Sequence, residues 1–243
     1  MIITAMIDLI RAEYKYKLEL HAHTSPGSHC SEVPARQMVD MYADCGFSAL
    51  TITNHYFLRK EKNNETIKTF TDRYLRDYYE AYDEGAKKGI SVILGAEFTL
   101  SDASNDYLAY GITEDDLYGL KDINTDNAKA FYKEFRNSRN IIIQAHPFRD
   151  GCHYAEGCSD GIEDLNLHTA SNNCLSLSAD LAAEKQLVKT IGSDAHYHHQ
   201  IGICATRSKI IPKNSFELAD LIRSGDYVFQ IGDDIVLPRL YRW

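Results

Sequence analysis

Leu18-Glu-Leu-His21-Ala-His23-Thr-Ser-Pro-Gly-Ser-His29 is a strand-like run that delivers two histidines one residue apart, with a third six positions on. Side chains alternate faces along a strand, so His21 and His23 point the same way and can grip one ion. Neutral imidazole is the commonest protein ligand for zinc and related metals. By itself such a pair is as often a surface pair as a ligand pair. Its meaning depends on whether the rest of the chain supplies matching ligands in matching places.

Working outward from that run, strands and helices alternate. Ile3, Met6, Ile7 and Ile10 predict a short amphipathic helix over 2–11, and a strand follows over 16–21. Pro34 suits the first turn of a helix with Met38, Val39 and Tyr42 on its apolar face, and Gly46 stops it. A buried strand over 48–53 runs into Asn54-His55, and a polar stretch over 59–65 leads to a long helix over 66–88 that Gly89 ends. A strand over 91–94 runs into Gly95-Ala-Glu97, and another is expected over 107–112. A helix over 126–137 precedes the strand 140–144, which ends at Ala145-His146-Pro147. Then come strand 161–167, helix 179–187 and strand 188–191, which leads into Gly192-Ser-Asp194-Ala-His196. Strand 206–211, helix 215–224 and strand 227–231 complete the series. This alternation predicts parallel βαβ units and an α/β fold. With about seven units in one domain spanning residues 1–243, a closed or distorted barrel is favoured over an open sheet.

Candidate ligands recur where these strands end: His21, His23, His55, Glu97, His146, His168, Asp194 and His196. In a parallel barrel the C-terminal strand ends open onto one face, where active sites sit, so residues far apart in sequence converge. Each has a plainer reading. His55 could cap a strand, Glu97 could stand in solvent, His146 could be a packed core histidine and Asp194 could cap a turn. Independent scatter would not select strand ends so consistently. A carboxylate such as Glu97 at the end of an apolar strand is costly to bury alone and is well satisfied between cations.

Composition narrows the class. The chain has 243 residues, 44% of them hydrophobic and 25% charged, as expected of a soluble globular protein. No apolar run approaches the roughly 18 to 20 residues that cross a bilayer. The N-terminus lacks the pattern of a secretory signal, so a cytoplasmic location is expected. Six cysteines without a C-x-x-C pair read as reduced thiols. A formal net charge of −9 disfavours a basic nucleic-acid face and long duplex DNA or RNA as partner. Bound cations would still make one pocket locally positive and suited to a small anionic substrate.

The ordered set His21-Ala-His23-Thr, Thr53-Asn54-His55, Gly95-Ala-Glu97, Ala145-His146-Pro147-Phe148-Arg149, Gly161-Ile-Glu-Asp-Leu-Asn166 and Gly192-Ser-Asp194-Ala-His196 resembles the PHP (polymerase and histidinol phosphatase) family over about residues 16–200. The resemblance implies a distorted seven-stranded (β/α) TIM-like barrel and a centre of two or three divalent ions (zinc, manganese or iron) that hydrolyses phosphate esters. Carried over, one ion takes His21, His23, Glu97 and Asp194. Glu97 bridges to a second, completed by His146 and by His168, with Asn166 orienting the pocket. A third takes His29, His55 and His196. A hydroxide held between the ions at Glu97 is the implied nucleophile, Asp194 a ligand and proton acceptor, and Arg149 a phosphate clamp. Two features depart from the family pattern. Asn54 stands where an acid is usual, and residues 1–14 form an extension before the first motif.

The expected function is therefore a metal-dependent phosphatase on a small phosphomonoester. A phosphodiesterase or exonuclease-like enzyme on short oligonucleotides or nucleotide bisphosphates is the alternative. A non-catalytic metal-binding regulatory module, or carbon–nitrogen hydrolysis on a similar barrel, is more distant. Tyr74, Tyr78, Tyr79 and Tyr82 read as core packing with some exposed hydroxyls rather than a base-stacking platform. His198 and His199 read as solvent-facing loop residues.

Overall fold

The computed structural model describes residues 2–57, 66–100, 105–125 and 127–237, with side chains from residue 5. The polar stretch 59–65 and Asp126 lie outside them. Twelve strands are formed among the described residues: β1 (Tyr16–Ala22), β2 (Ala49–Ile52), β3 (His55–Phe57), β4 (Ser91–Leu94), β5 (Ala96–Thr99), β6 (Asp106–Tyr110), β7 (Ile141–Gln144), β8 (Gly161–Asn166), β9 (Val188–Gly192), β10 (Cys204–Ser208), β11 (Tyr227–Ile231) and β12 (Asp234–Val236). The α-helices are α1 (Ile2–Glu13), α2 (Ala35–Asp44), α3 (Ile67–Lys88), α4 (Glu114–Tyr118), α5 (Ala128–Phe135), α6 (Leu175–Lys185) and α7 (Ser215–Ser224).

The strands form two six-stranded sheets, ordered β12-β11-β10-β1-β2-β4 and β3-β5-β6-β7-β8-β9. Short breaks at Thr53-Asn54 and at Gly95 divide β2 from β3 and β4 from β5, so each pair is one path crossing from sheet to sheet. A side chain at Gly95 would meet Thr51 Cγ2 and Thr53 Cγ2, each at 2.9 Å, so that crossing has room only for glycine. Counted as paths, β1, β2/β3, β4/β5, β6, β7, β8 and β9 are the seven staves of a distorted barrel. The β9–β1 seam lacks a continuous ladder. It is held by the Ala22–Ala195 bridge and by His23 N–H donating to Ala195 O at 3.0 Å.

Two expectations of parallel pairing are corrected. β6 runs antiparallel to both β5 and β7, because β5 reaches it through a short connection without a crossover helix. β10 and β11 pair antiparallel outside the barrel, on the edge of β1. Arg207 on β10 ties down the extension, donating to Tyr14 O at 2.8 Å and to Arg11 O and Lys15 O at 3.3 Å, just beyond α1.

Period-2 burial explains why these runs are strands. On β7, Ile141 and Ile143 pack with Leu18, Leu20, Ile93, Leu108 and Tyr110, whereas Ile142 faces the aromatic layer of Phe98, Phe131 and Phe135. α7 closes the first cluster with Leu218, Leu221 and Ile222. Truncating Ile143 to alanine would cost about 2–5 kcal/mol. α2 and α3 cover the other side, burying Met38, Val39, Tyr42 and Ala81 against Leu50, Ile52 and Val92. Tyr74 on α3 is buried and donates to Gly95 O at 2.7 Å, while Tyr79 and Tyr82 are exposed.

Candidate metal centre

The strand ends converge as anticipated, and β1 shows how. Its register against β2 shifts between Glu19 and Ala22, so Leu20 and His21 together oppose Thr51. This bulge re-aims the chain. Leu18 and Leu20 still join the core cluster, yet His21 and His23 turn to the carboxylates Glu97 and Asp194. Glu19 Oε1 accepts the N–H groups of both Leu20 and His21 at 3.0 Å. The same carboxylate takes Ser193 N at 3.2 Å, Ser193 Oγ at 2.7 Å and Tyr42 Oη at 2.8 Å. It therefore fastens the motif-bearing strand to the loop that carries Asp194.

Glu97, fully buried at the start of β5, is the hub. Its Oε1 lies 3.4 Å from His21 Nε2 and 3.1 Å from His146 Nε2, and its Oε2 lies 3.2 Å from His23 Nε2 and 2.9 Å from His55 Nδ1. Asp194 Oδ1 lies 3.3 Å from His21 Nε2 and 3.2 Å from His23 Nε2. Among the described residues three groups could hold an ion, each with its candidate ligand atoms within 4.8 Å of one another: His21, His23 and Asp194; His23, His55 and His196; and Glu97, Asp106 and His146.

Hydrogen bonds at the far side of three of the rings leave one nitrogen of each free for these groups. His21 Nδ1 lies 2.9 Å from Glu163 Oε1, His23 Nδ1 lies 3.1 Å from Ser28 Oγ, and His196 Nδ1 lies 2.8 Å from Asp194 O. With the proton on each Nδ1, the Nε2 lone pairs of His21 and His23 face one another at 3.0 Å. That contact is repulsive unless a proton or a cation lies between them. Glu97 Oε2 and His55 Nδ1, although close, are misaligned for a hydrogen bond, and both stay buried without a hydrogen-bond partner. Buried orphaned donor atoms of this kind, within a set of three carboxylates and five imidazoles, fit divalent cations.

The electrostatics agree. Burial works against a charge on His21, but Asp194, Glu163 and Glu97 overcome it and hold the ring well above its usual pKa. Burial likewise opposes His55 and His146; Glu97 raises the first well above its usual range, and Cys152 with Glu97 raises the second to about 9. Burial would lift Glu97 and Asp194, yet the surrounding imidazoles, with Arg149 beside Asp194, keep both well below the carboxylate range. Burial and the neighbouring His23 push His196 down to about 3, so it is a neutral donor at physiological pH. His146 (φ 29) and Asp194 (φ 51) both adopt left-handed backbone, a conformation held by surrounding structure at functional sites.

His21, His23, His55, Glu97, His146, Asp194 and His196 are brought together. His29 is not: the loop after His23 presents Ser28 Oγ inward, and His29 stands exposed. Cys30, one residue on, reaches His55. His168 is half-buried with its ring edge-on to His196 at 5.2 Å, away from the Glu97–His146 group. Asp106 occupies that group instead, its Oδ2 3.8 Å from His146 Nε2. Because β6 runs backwards, its first residue reaches the face where the other strands end, and a search of C-terminal strand ends passes over it. Glu19 and Glu163 were also missed, both lying inside the quoted motifs as apparent spacers. Arg149 lies beside the candidate ligands. It forms an ion pair with Asp194 Oδ2 and donates to Asn166 Oδ1 and Asn173 Oδ1, both at 2.8 Å. His198 is exposed and pairs with Glu32.

The family model for the PHP domain matches residues 19–218. The chain belongs to the PHP domain family. Among solved structures it is similar to a two-domain protein from Bacteroides vulgatus that contains a predicted PHP-like metal-dependent phosphoesterase, with 17% identity and a TM-score of 0.52. That match covers 90% of this chain and 59% of the other, so the PHP chain spans about three fifths of that neighbour's length. It is also similar to an amidohydrolase from Chromobacterium violaceum, solved with sulfate and no metal, at 14% identity and a TM-score of 0.56, covering 91% of this chain and 98% of that one. No curated protein matches the sequence. At these identities the neighbours establish the fold, a distorted PHP-type barrel. Among the described residues no helix is long and apolar enough to cross a membrane.

Proposed function

We propose that this PHP-domain chain is a metal-dependent phosphatase that removes phosphate from a small phosphomonoester. The observation that carries the reading is Arg149, a guanidinium fixed by Asp194, Asn166 and Asn173 at the edge of three ligand groups. Nε and Nη2 are held by these partners, and Nη1 keeps its two N–H donors for the oxygens of a phosphoryl group. Held by two or three divalent ions, such a centre supplies Lewis acidity and a nucleophile at neutral pH.

The protein's own contribution is positional. His21 and Asp194 would hold one ion, Glu97, Asp106 and His146 a second, and His55 and His196 a third, with the single Nε2 lone pair of His23 serving either the first or the third. Glu163 and Ser28 set the tautomers of His21 and His23, and Asn166 joins Glu163 to Arg149 by donating to Glu163 Oε2 at 2.8 Å while accepting from the guanidinium. Asp194, acceptor for Arg149 and held well below the carboxylate range, stays ionised as an ion ligand. A second observation bears on the leaving group. The ring of Phe57, 44% exposed, lies 5.4 Å from that of His55, offering an aromatic face at the rim that favours a substrate with a base, such as a nucleotide.

The deciding experiment is phosphate release by manganese- or zinc-loaded protein across monoesters, diesters and nucleotide bisphosphates. Turnover of monoesters is the expected result, and preference for diesters would move the reading to a phosphodiesterase. No turnover of any of them, with metal demonstrably bound, would overturn both.

A further inference from the structure

Behind the ligands runs a buried hydrogen-bonded chain that ends on α3, in an element no ligand occupies. Two contacts together set the orientation of the Asn54 amide: Thr24 N donates to its Oδ1 at 2.6 Å, and Asp77 takes the Thr24 hydroxyl proton, so that this hydroxyl faces the amide as an acceptor. Asn54 Nδ2 must then donate to Thr24 Oγ1 at 2.8 Å, and the Thr24 hydroxyl is left to donate onward to Asp77 Oδ2 at 2.9 Å. Asp77 Oδ2 also accepts Gly27 N at 2.8 Å.

On the other side of the amide, Ser28 Oγ donates to Asn54 Oδ1 at 3.1 Å. With its proton so committed, Ser28 Oγ can only accept from His55 N at 2.9 Å and from His23 Nδ1 at 3.1 Å. His23 is therefore held with its proton on Nδ1, and its Nε2 lone pair is turned to Glu97 and Asp194. Thr24, Ser28, Asn54 and His23 are fully buried, and Asp77 nearly so. A side chain at Gly27 would meet Asn54 Nδ2 at 2.4 Å and Asp77 Oδ2 at 2.7 Å, so glycine is required for the chain to close.

We infer that Asp77 is a positioning residue of the metal centre: as terminal acceptor of the Ser28–Asn54–Thr24 chain it helps fix the tautomer of His23, and thereby the affinity of the ion that His23 Nε2 binds. Asn54 passes the polarisation on but carries no charge, and Asp77 supplies it. The inference rests on the metal-centre reading above.

The test uses the full chain with Asp77→Asn and Thr24→Val, the second breaking the relay while leaving Asp77 in place. In metal-free protein labelled with 15N-histidine, ring nitrogen shifts report which nitrogen of His23 bears the proton. Zinc competition titration reports affinity. The wild type is expected to show the Nδ1–H form, and both variants a mixture, with zinc affinity at the weakest site lowered about tenfold. Adding Asn54→Asp to Asp77→Asn places a carboxylate two links closer to His23 and is expected to restore both readouts. An unchanged tautomer in both single variants would overturn the inference, as would a double variant no better than Asp77→Asn. A wild type that binds no zinc would defeat the phosphatase reading alone, because the tautomer measurement is made without metal.

Discussion

Glu19 Oε1 accepts the backbone N–H of His21 at 3.0 Å, so the residue two before the first ligand holds that ligand's backbone in place. The bond exists because β1 bulges there, releasing two N–H groups from the ladder that the Glu19 carboxylate collects while its other oxygen takes Ser193 Oγ and Tyr42 Oη.

Glu19→Ala removes five hydrogen bonds from a site without water access. Buried donors left unsatisfied cost about 1–3 kcal/mol each before relaxation. Allowing for relaxation, a loss of about 3–5 kcal/mol is expected, read as a lower urea midpoint. Because the acceptor also spans the β1–β9 seam, metal content should fall with it. An unchanged midpoint would show that the bulge holds itself.

How far this was legible in the sequence follows from strand direction. Candidate ligands where parallel strands end (His55, Glu97, His146, Asp194) could be found by reading where apolar runs stop. Asp106 could not, because antiparallel β6 presents its first residue to the same face, and local pattern does not encode strand direction. Glu163 was hidden by a second irregularity, the register shift between Glu163 and Leu165 on β8, where strict alternation ceases to assign faces. His29 failed for another reason: the turn at Gly27-Ser28 is set by Asp77, 50 residues away, and spacing alone does not show it.

Glu163→Gln is the next test. Glu163 Oε1 accepts from His21 Nδ1 at 2.9 Å, and Oε2 from His146 N at 3.1 Å and Asn166 Nδ2 at 2.8 Å. An amide keeps the shape but loses the charge that makes His21 a stronger donor. Metal affinity should fall about 10- to 100-fold, measured by competition with a chelator. Equal affinity in mutant and wild type would reduce Glu163 to a packing role.

Metal binding should release protons. His21 and His55 sit well above their usual pKa in the metal-free cluster and His146 near 9, so at pH 8 some of these rings carry protons that a cation must displace. Calorimetric heats at pH 8 should therefore depend on the buffer's ionisation enthalpy, corresponding to about one proton or more per chain. The sign for stability is opposite in the two forms. Raised imidazole values stabilise the metal-free protein below about 6.5, and for His146 that contribution is lost as pH rises through about 9. The loaded protein should instead gain stability over the same range, because fewer protons compete with the ions. Parallel melting curves from pH 6 to 9 check both, and identical pH trends would contradict the model.

Arg149 separates phosphate recognition from metal binding. Its guanidinium reaches Asp194, Asn166 and Asn173 but belongs to no ligand group. Arg149→Lys keeps a positive charge beside Asp194 and loses the planar fork, so metal content should hold while phosphomonoester turnover falls about 10²-fold. Inhibition by inorganic phosphate should weaken in parallel, since product and substrate share the same oxygens. Arg149→Met removes the charge as well, leaving Asp194 less well compensated when metal-free and freer to bind a cation. Its metal affinity should therefore be unchanged or higher even as turnover is lost. A variant that loses metal and turnover together would place Arg149 in the support of Asp194 rather than on the substrate.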